Sequence, residues 1–456
     1  MAVPSNILFR AYQRIIHSLA FYPTLIAIGF FLLCVLTMAI EYRPWMMALK
    51  ENFDIGLVRN ADNARLILGT LVAGILSLMV FSFSMVMVVL NNAAASLSPR
   101  VIPGLISSKG HQKTLGIYLG SILYALLLIT TIEQGDSERV PSLGVLITLV
   151  LGITCLGLFV HFIRSISQSI QVEHILSNLY GASLEKLDAC QANLADREQQ
   201  PDWPDDSAWV TINAQRNGYF KALNVSEANA LLRRHQVRMT VLAHRGFFVT
   251  EGHPLLRLER PLDEDVCQQL LDCFDFFIEE YASTHYFFGC RQMAEIAVKA
   301  LSPGINDPGT AIKTVDLLSV LLSRRLALGD RDFVPLPDEP PRLSYHELSL
   351  DQLLLQLLGP IRAYGAADVS VLSSLLQAFK NLLHRPCSPA QREVLLRHAR
   401  SVRDTAERHL LERREREEIN AFIARLNRTL PAEQRPLLPL PDAWRPMMGR
   451  QASPKN

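Results

Sequence analysis

Two stretches of this chain gather residue types that could do chemistry. The first is "ALSPGINDPGTA", from Ala300 to Ala311, which sets two prolines, two glycines, an asparagine and an aspartate between two helix-like patterns. Ser302-Pro303-Gly304 ends a helix, because Pro303 cannot continue it and Gly304 can take positive φ. Asn306 leads into Asp307, a good N-cap, Pro308 fits the first helical position, and Thr310 lies in the first turn. A structural role therefore exists for each residue. A binding role stands beside it: free N–H groups at the start of "TAIKTVD" can hold an anion, with Arg291, Lys299 and Lys313 adding charge. Asp307 would oppose an anion and favour a cation or an amine, joined by Glu295 and Asp316 only if the two helices fold back together.

The second stretch is a polar stripe inside an apolar segment. Thr70, Ser77, Ser84, Asn91 and Ser98 recur every seven residues. Seven residues make nearly two turns, so these groups share one helix face. Ser82, Asn92 and Ser96 are expected near it. Lipid gives such a face nothing to bond. It is expected either to pack against another helix or to line a polar pathway when several copies assemble.

Other chemistry is thin. The chain has no GxSxG, HExxH, P-loop, dinucleotide fingerprint or kinase set, so no catalytic residue is expected and the chain reads as a non-enzyme. Its seven cysteines form no CxxC pair and suit neither a disulfide framework nor a zinc site. His235, His244 and His253 fall nine residues apart, but a metal needs further ligands and second-shell support. No metal or cofactor is expected. A net charge of +1 with 20% charged residues argues against a nucleic-acid partner.

These residues must be held by elements that the apolar pattern marks out. Hydrophobic residues make up 49% of the chain, with the long runs in the first 165 residues. Four segments, roughly 23–41, 66–90, 114–132 and 141–163, are long enough to cross a bilayer as helices. The second pattern continues to about 97, where Ser98-Pro99-Arg100 stops it. The first run lacks a small-residue cleavage site, so no cleavable signal peptide is expected. One set of flanks carries Arg10, Arg14, Arg100, Lys109, Lys113 and Arg164 with no acid; the other mixes both signs. The positive-inside rule then places both termini in the cytoplasm of a bacterial inner-membrane protein. Apart from edge residues such as Arg65, no Asp, Glu, Lys or Arg lies inside a span, which argues against a proton-driven pump.

The expected architecture is an α-helical membrane protein with a cytoplasmic α+β region. Residues 1–165 form the four-helix transmembrane domain and 166–208 a helical stalk and a linker, "QQPDWPDD". Residues 209–260 form a small β-module in which "VRMTVLAH" alternates Val237, Met239, Val241 and Ala243 on one face. Turns are expected at Arg245-Gly246 and Glu251-Gly252, and Ser226 as the cap of a short helix. "HRGFFVTEGHPLLRLE" resembles the closing hairpin of barrel-sandwich modules such as biotinyl and lipoyl domains, without a recognisable modified lysine. Residues 261–430 read as a helical domain in which "DEDVCQQLLDCFDFFIEEY" is helix and "FVPLPDEPPRL" is loop. Its last helix runs from Ser388, the N-cap, with Pro389 and Gln391 completing the signature, to about Arg428. "ERREREE" in its middle reads as a solvated face. The tail, 431–456, is expected to be disordered.

Two blocks carry a family resemblance. "GCRQMAEIAVKALSPGINDPGTAIKTVD", together with "FSFSMVMVVLNNAAASLSPR" and the following "LGIYLGSILYALL", resembles a bacterial membrane-protein family catalogued as domain of unknown function 2254. The resemblance spans roughly 10–385. It implies an inner-membrane protein with a cytoplasmic C-terminal half and brings no activity with it. Members often carry an acidic residue just before the "FG", where this chain has His285. Three functions compete: an oligomeric channel lined by the second span, a membrane-anchored sensor or scaffold binding a soluble ligand or protein partner, and, least supported, an enzyme. The bilayer and a second copy of the chain are the expected partners.

Overall fold

The computed structural model describes residues 21–41, 43–46, 58, 60–96, 109–132, 140–169, 171–195, 203–277, 285–328, 331–336, 339–431 and 434–441. The chain divides into two compact units near residue 174.

The first unit holds four long apolar helices: α1 (Phe21–Glu41), α2 (Ala61–Ser96), α3 (Lys109–Thr130) and α4 (Ser142–Ser169). Each contains a stretch long and apolar enough to cross a membrane, at 21–41, 61–91, 112–130 and 142–166. A helix is required there because hydrocarbon offers backbone groups no partner. α1 and α3 approach closely: a Cβ at Gly120 would come within 2.6 Å of the Phe30 ring. Small residues at such a crossing let two backbones meet. The pair is pinned by Tyr124 Oη donating to Thr37 Oγ1 at 3.2 Å. α2 adds Ala64 and Leu68 to a core with Tyr124, Leu128 and Val145. Further along, Ile75 meets Tyr118 and Cys155, and Val89 meets Phe162 and Ile166. Glu41, buried at the end of α1, accepts from Leu143 N at the start of α4, 3.3 Å away.

The second unit contains most of α5 (Val172–Ala195), then β1 (Val210–Asn213), β2 (Gly218–Leu223), α6 (Val225–Arg234), β3 (Met239–Val241), β4 (Phe248–Val249), β5 (Pro254–Leu258), α7 (Glu264–Asp272) and β6 (Phe274–Phe277). Next come α8 (Tyr286–Ala300), α9 (Pro308–Arg325), β7 (Arg331–Leu336), β8 (Glu339–His346), α10 (Leu350–Tyr364), α11 (Val369–Leu383), α12 (Pro389–His409) and α13 (Arg413–Asn427). One sheet has the order β1-β5-β3-β8-β7 and the other β4-β2-β6. β3 lies parallel to β8, Thr240 opposite Ser344, and their hydroxyls bond at 3.1 Å. Val237, Met239, Val241 and Ala243 are all buried, as their alternation predicts. Gly246 and Gly252 take positive φ at the two expected turns.

Several sequence-based expectations are corrected. β4 and β5 do not form a closing hairpin: β4 pairs with β2, and β5 with β1 and β3, in separate sheets. The strands also extend well past 209–260. "FVPLPDEPPRL" is largely the β7–β8 hairpin. Pro335 is tolerated because β7 is an edge strand and the register slips between Val334 and Leu336, while Pro340 and Pro341 precede Leu343, where β8 begins to pair with β3. The run from Asp263 leaves helix at Cys273 and becomes β6. Asn224, not Ser226, caps α6, its side chain accepting from Glu227 N. α4 and α5 are separate helices rather than one continuous stalk helix.

The capping box of Ser388 and Gln391 opens α12 as expected. The helix then breaks at Leu410 and restarts as α13. Arg416, inside the expected solvated face, is buried and donates to Leu410 O at 2.7 Å, Glu407 O at 3.4 Å and Pro441 O at 2.8 Å. It thereby satisfies carbonyls that the end of α12 leaves open. Residues 434–441 of the expected disordered tail lie ordered against α13; residues 442–456 fall outside the described residues. Asn427 exchanges two hydrogen bonds with the Leu437 backbone, at 2.8 and 2.9 Å. Asn420 does the same with Leu440, at 2.6 and 3.1 Å. Each amide imitates a strand neighbour for an extended segment, and Leu437 and Leu440 are buried beneath it.

Replacing Asn427 by Ala removes both bonds to Leu437 and is expected to cost about 1–2 kcal/mol. Urea unfolding of the full chain measures the loss, and limited proteolysis should then cut at exposed Leu438 sooner than in the unaltered protein.

Candidate functional site

The polar stripe of α2 has a definite place in the first unit. Thr70, Ser77, Ser84 and Asn91 are all exposed in the single chain. A second row with the same spacing, Leu68, Ile75, Ser82 and Val89, is buried. The rows are offset by two residues, about 200° around a helix of 3.6 residues per turn, so they occupy opposite faces. One face of α2 builds the four-helix core; the other, left open by α1, α3 and α4, carries the polar row among exposed Leu66, Val80, Phe81, Met87 and Val88. Ser82, expected near the stripe, belongs to the buried row instead. Thr70 Oγ1 donates to Leu66 O at 2.7 Å and Ser77 Oγ to Ala73 O at 2.9 Å. Hydroxyls bonded back to their own helix cost little in hydrocarbon and still present lone pairs outward. Ser98 and the side chains of Asn92 and Ser96 lie outside the described residues.

The 300–311 corner joins α8 to α9 within the second unit. Ser302 Oγ donates to Lys299 O at 2.6 Å, and Ser302 O accepts from Ile305 N at 3.0 Å and Asn306 N at 2.9 Å. Asp307 N closes the corner onto Ala300 O at 2.8 Å. The left-handed residue is Asn306, at φ 50, and not Gly304; asparagine is among the few side chains that tolerate this region. Pro303 and Gly304 are exposed. Asp307 caps α9: Oδ1 accepts from Thr310 N at 3.1 Å and Oδ2 from Thr310 Oγ1 at 2.6 Å. Pro308 follows at the first turn. The Thr310 hydroxyl, then its backbone N–H, hold the Asp307 carboxyl below its ordinary range. Both carboxylate oxygens are thus engaged within the corner. Arg291 pairs with Glu295 at 3.5 Å along α8. The side-chain bonds of Ser302 and Asp307 serve the turn, and residues 303–307 are exposed.

Sequence reasoning missed a buried polar knot at the other ends of the same two helices. Arg325, the last residue of α9, is 2% exposed. Its guanidinium donates to Tyr286 Oη at 2.9 Å, Leu328 O at 2.7 Å and Leu348 O at 2.8 Å. His285 caps α8, Nδ1 accepting from Phe287 N at 3.4 Å, with Nε2 3.6 Å from Glu347 Oε2. Burial lowers its pKa well below the usual imidazole value, and Arg245 and Arg325 add to the effect. The ring is therefore neutral at physiological pH. Burial likewise raises the Tyr286 phenol, against the partly offsetting Arg325. Arg245 itself lies over the Tyr345 ring, 4.1 Å from its centroid. The knot ties α8, α9 and the chain after β8 together and holds no exposed nucleophile. "SRRLAL" betrays a cation at a helix end, but nothing local says which arginine turns inward. His244 bonds His346 O at 2.9 Å. Among the described residues no group of three or more His, Cys, Asp or Glu could hold a metal ion.

Comparison with known proteins covers most of this architecture. A family model described as "Predicted membrane protein (DUF2254)" matches residues 16–381. The match takes in the α2 stripe, the corner and the knot, and ends before α12. Two relatives, Uncharacterized protein Rv1290c of Mycobacterium tuberculosis and Uncharacterized protein Mb1321c of Mycobacterium bovis, are each 26% identical over 392 residues, covering 81% of this chain and 73% of the relative. No solved structure matches the chain.

Changing Asp307 to Ala is expected to cost about 1 kcal/mol through loss of the cap. Because the folded-state pKa is depressed, this stability is present above the unfolded value, roughly pH 3.9, and is lost as pH falls through the folded value. The gap between the two proteins in urea unfolding should therefore close in acid. Changing Arg325 to Leu strands two carbonyls and a phenol and is expected to cost about 3–5 kcal/mol, read by the same unfolding measurement.

Proposed function

The chain belongs to the DUF2254 family of predicted membrane proteins, and from that premise we propose that it assembles into an oligomeric channel or pore lined by α2. The observation that carries this reading is the open polar face of Thr70, Ser77, Ser84 and Asn91, set opposite the buried row of the same helix. A lone chain in lipid would turn that face to hydrocarbon with no gain. Several copies arranged about an axis give it water and one another. No charge lies on the face, which suits passive conduction better than coupled transport. α2 runs for 36 residues, more than the roughly 20 that span a bilayer, so it reaches beyond the hydrocarbon on at least one side. In this reading the protein sits in the bacterial inner membrane with both termini in the cytoplasm. The second unit lies on the cytoplasmic side, where it assembles the subunits and gates the path.

A sensor or scaffold role is the second reading. It is favoured by the size of the second unit, residues 175–456, far more chain than four short spans need for support.

Current across planar bilayers containing the purified chain tests the first reading. Unitary conductance is expected, and it should fall at least tenfold when Ser84 and Asn91 are both changed to Leu, because apolar side chains remove the polar lining and favour dewetting. Silent bilayers over a range of voltage, tension and pH would overturn the pore in favour of the sensor.

A further inference from the structure

Beyond the family-matched region, α12 closes a cleft against α10 and α11 that none of the sequence motifs marks. Its volume is about 220 Å³, room for about seven water molecules at 30 Å³ each. A small organic molecule fits and a two-chain lipid does not.

The cleft has a structural origin in α10. Gly359 faces it, and a Cβ there would meet only Leu355 Cδ1, at 3.6 Å. The side chain that glycine lacks is therefore part of the space. Pro360 follows inside the same helix and deprives it of a backbone hydrogen bond. Leu358, Leu375, Phe379 and Val402 form buried apolar walls. Leu355 stands at the rim and is 57% exposed, an apolar side chain that a bound apolar group would cover.

Polar groups line one side of the cleft along its length, Asp351 and Arg362 lying eleven residues apart on α10, about 16 Å along the helix. Asp351 Oδ1 is bonded to His398 Nε2 at 2.9 Å and lies 3.8 Å from Arg397 Nη1. The His398 ring stacks on Phe379, centroids 6.3 Å apart and planes 18° apart, which extends the apolar wall as a flat face. Arg362 uses Nη1 to bond Ser401 O and Thr405 Oγ1, each at 3.1 Å. That anchoring fixes its planar fork and leaves the Nε and Nη2 hydrogens for another acceptor. The lining thus carries two guanidiniums and one carboxylate that already has partners, and its charged groups sum to a net cation. A guanidinium fork matches a carboxylate in both distance and plane.

We propose that the cleft between α10, α11 and α12 binds a small organic monoanion, a carboxylate carried on an aromatic or branched apolar body. The body fills the space beside Gly359 between Leu355 and Phe379, the carboxylate meets the Arg362 fork, and exposed Arg397 adds a screened charge. The site lies wholly within the second unit and does not depend on the pore reading: its occupancy is read without current, so either can fail alone.

The test is fluorine NMR titration of 4-fluorophenylacetate into the full chain in nanodiscs, with empty nanodiscs as the blank. Saturable binding at one site per chain is expected. Gly359→Leu builds a side chain into the space; because a Cβ just before Pro360 disfavours helix, its melting curve is measured first, and the folded variant should bind at least tenfold more weakly. Arg397→Gln, on a side chain 61% exposed, should weaken binding about threefold, as a screened charge would. The neutral 4-fluorophenylacetamide should bind at least about tenfold more weakly than the acid, the loss of a charge-assisted bond. No saturable signal above empty nanodiscs would overturn the proposal. So would wild-type affinity in a folded Gly359→Leu protein, or equal affinity for acid and amide. Should Gly359→Leu prove unfolded by its melting curve, Arg397→Gln and the amide decide the matter.

Discussion

Hydrocarbon offers a peptide group no hydrogen-bond partner, and the first unit is organised by that constraint. Four segments become helices because only a helix satisfies its own backbone. The hydroxyls along them turn inward for the same reason: Thr70, Ser77, Thr148 and Thr154 each donate to the carbonyl four residues back. Glu41 sits where a helix ends, and its carboxylate meets a free N–H of α4. With the backbone and these four hydroxyls satisfied locally, helix association rests on close packing and on the Tyr124–Thr37 bond across α1 and α3. Gly120 against Phe30 and Gly152 against Leu71 show how it is achieved.

The second unit has no helix long and apolar enough to cross a membrane among its described residues, and irregular segments are more frequent there. Irregular backbone must still be paired when buried, and long polar side chains do much of this pairing. Arg325 takes the carbonyls of Leu328 and Leu348, Arg416 those of Leu410 and Pro441, and Asn420 and Asn427 hold the 434–441 strap. Each lies on a helix and reaches a segment with no regular partner. A helical scaffold can in this way carry an edge hairpin, a broken helix and an extended tail without leaving backbone groups stranded.

The three regions with functional weight differ in how they are built. The stripe on α2 is a surface defined by what does not cover it. The corner at 300–311 spends its polar groups on its own turn, which accounts for its unusual composition through capping and one left-handed asparagine. The cleft at Gly359 is a gap in packing with charge along one side.

Legibility followed the range of the interaction concerned. The four spans, the capping box at Ser388, the cap at Asp307 and the buried alternation of Val237 to Ala243 were readable because each rests on neighbours within a few residues. The stripe was readable as a period, since a helix converts spacing into direction. Its sidedness was not: whether the row of Ser77 or the row of Ser82 turns inward depends on Tyr118, Cys155 and Phe162, far off in the chain. The stretch "FVPLPDEPPRL" reads as loop from its prolines; it is strand because β7 lies at an edge and β8 gains a second partner, β3, about a hundred residues earlier in the chain. Arg325, Arg416 and the cleft were invisible, since no local pattern distinguishes an arginine facing water from one facing distant carbonyls. By itself the sequence determined which segments enter the membrane and where helices begin. Only the tertiary structure decided which polar side chains are buried, because burial is set by contacts between elements and not by neighbours along the chain.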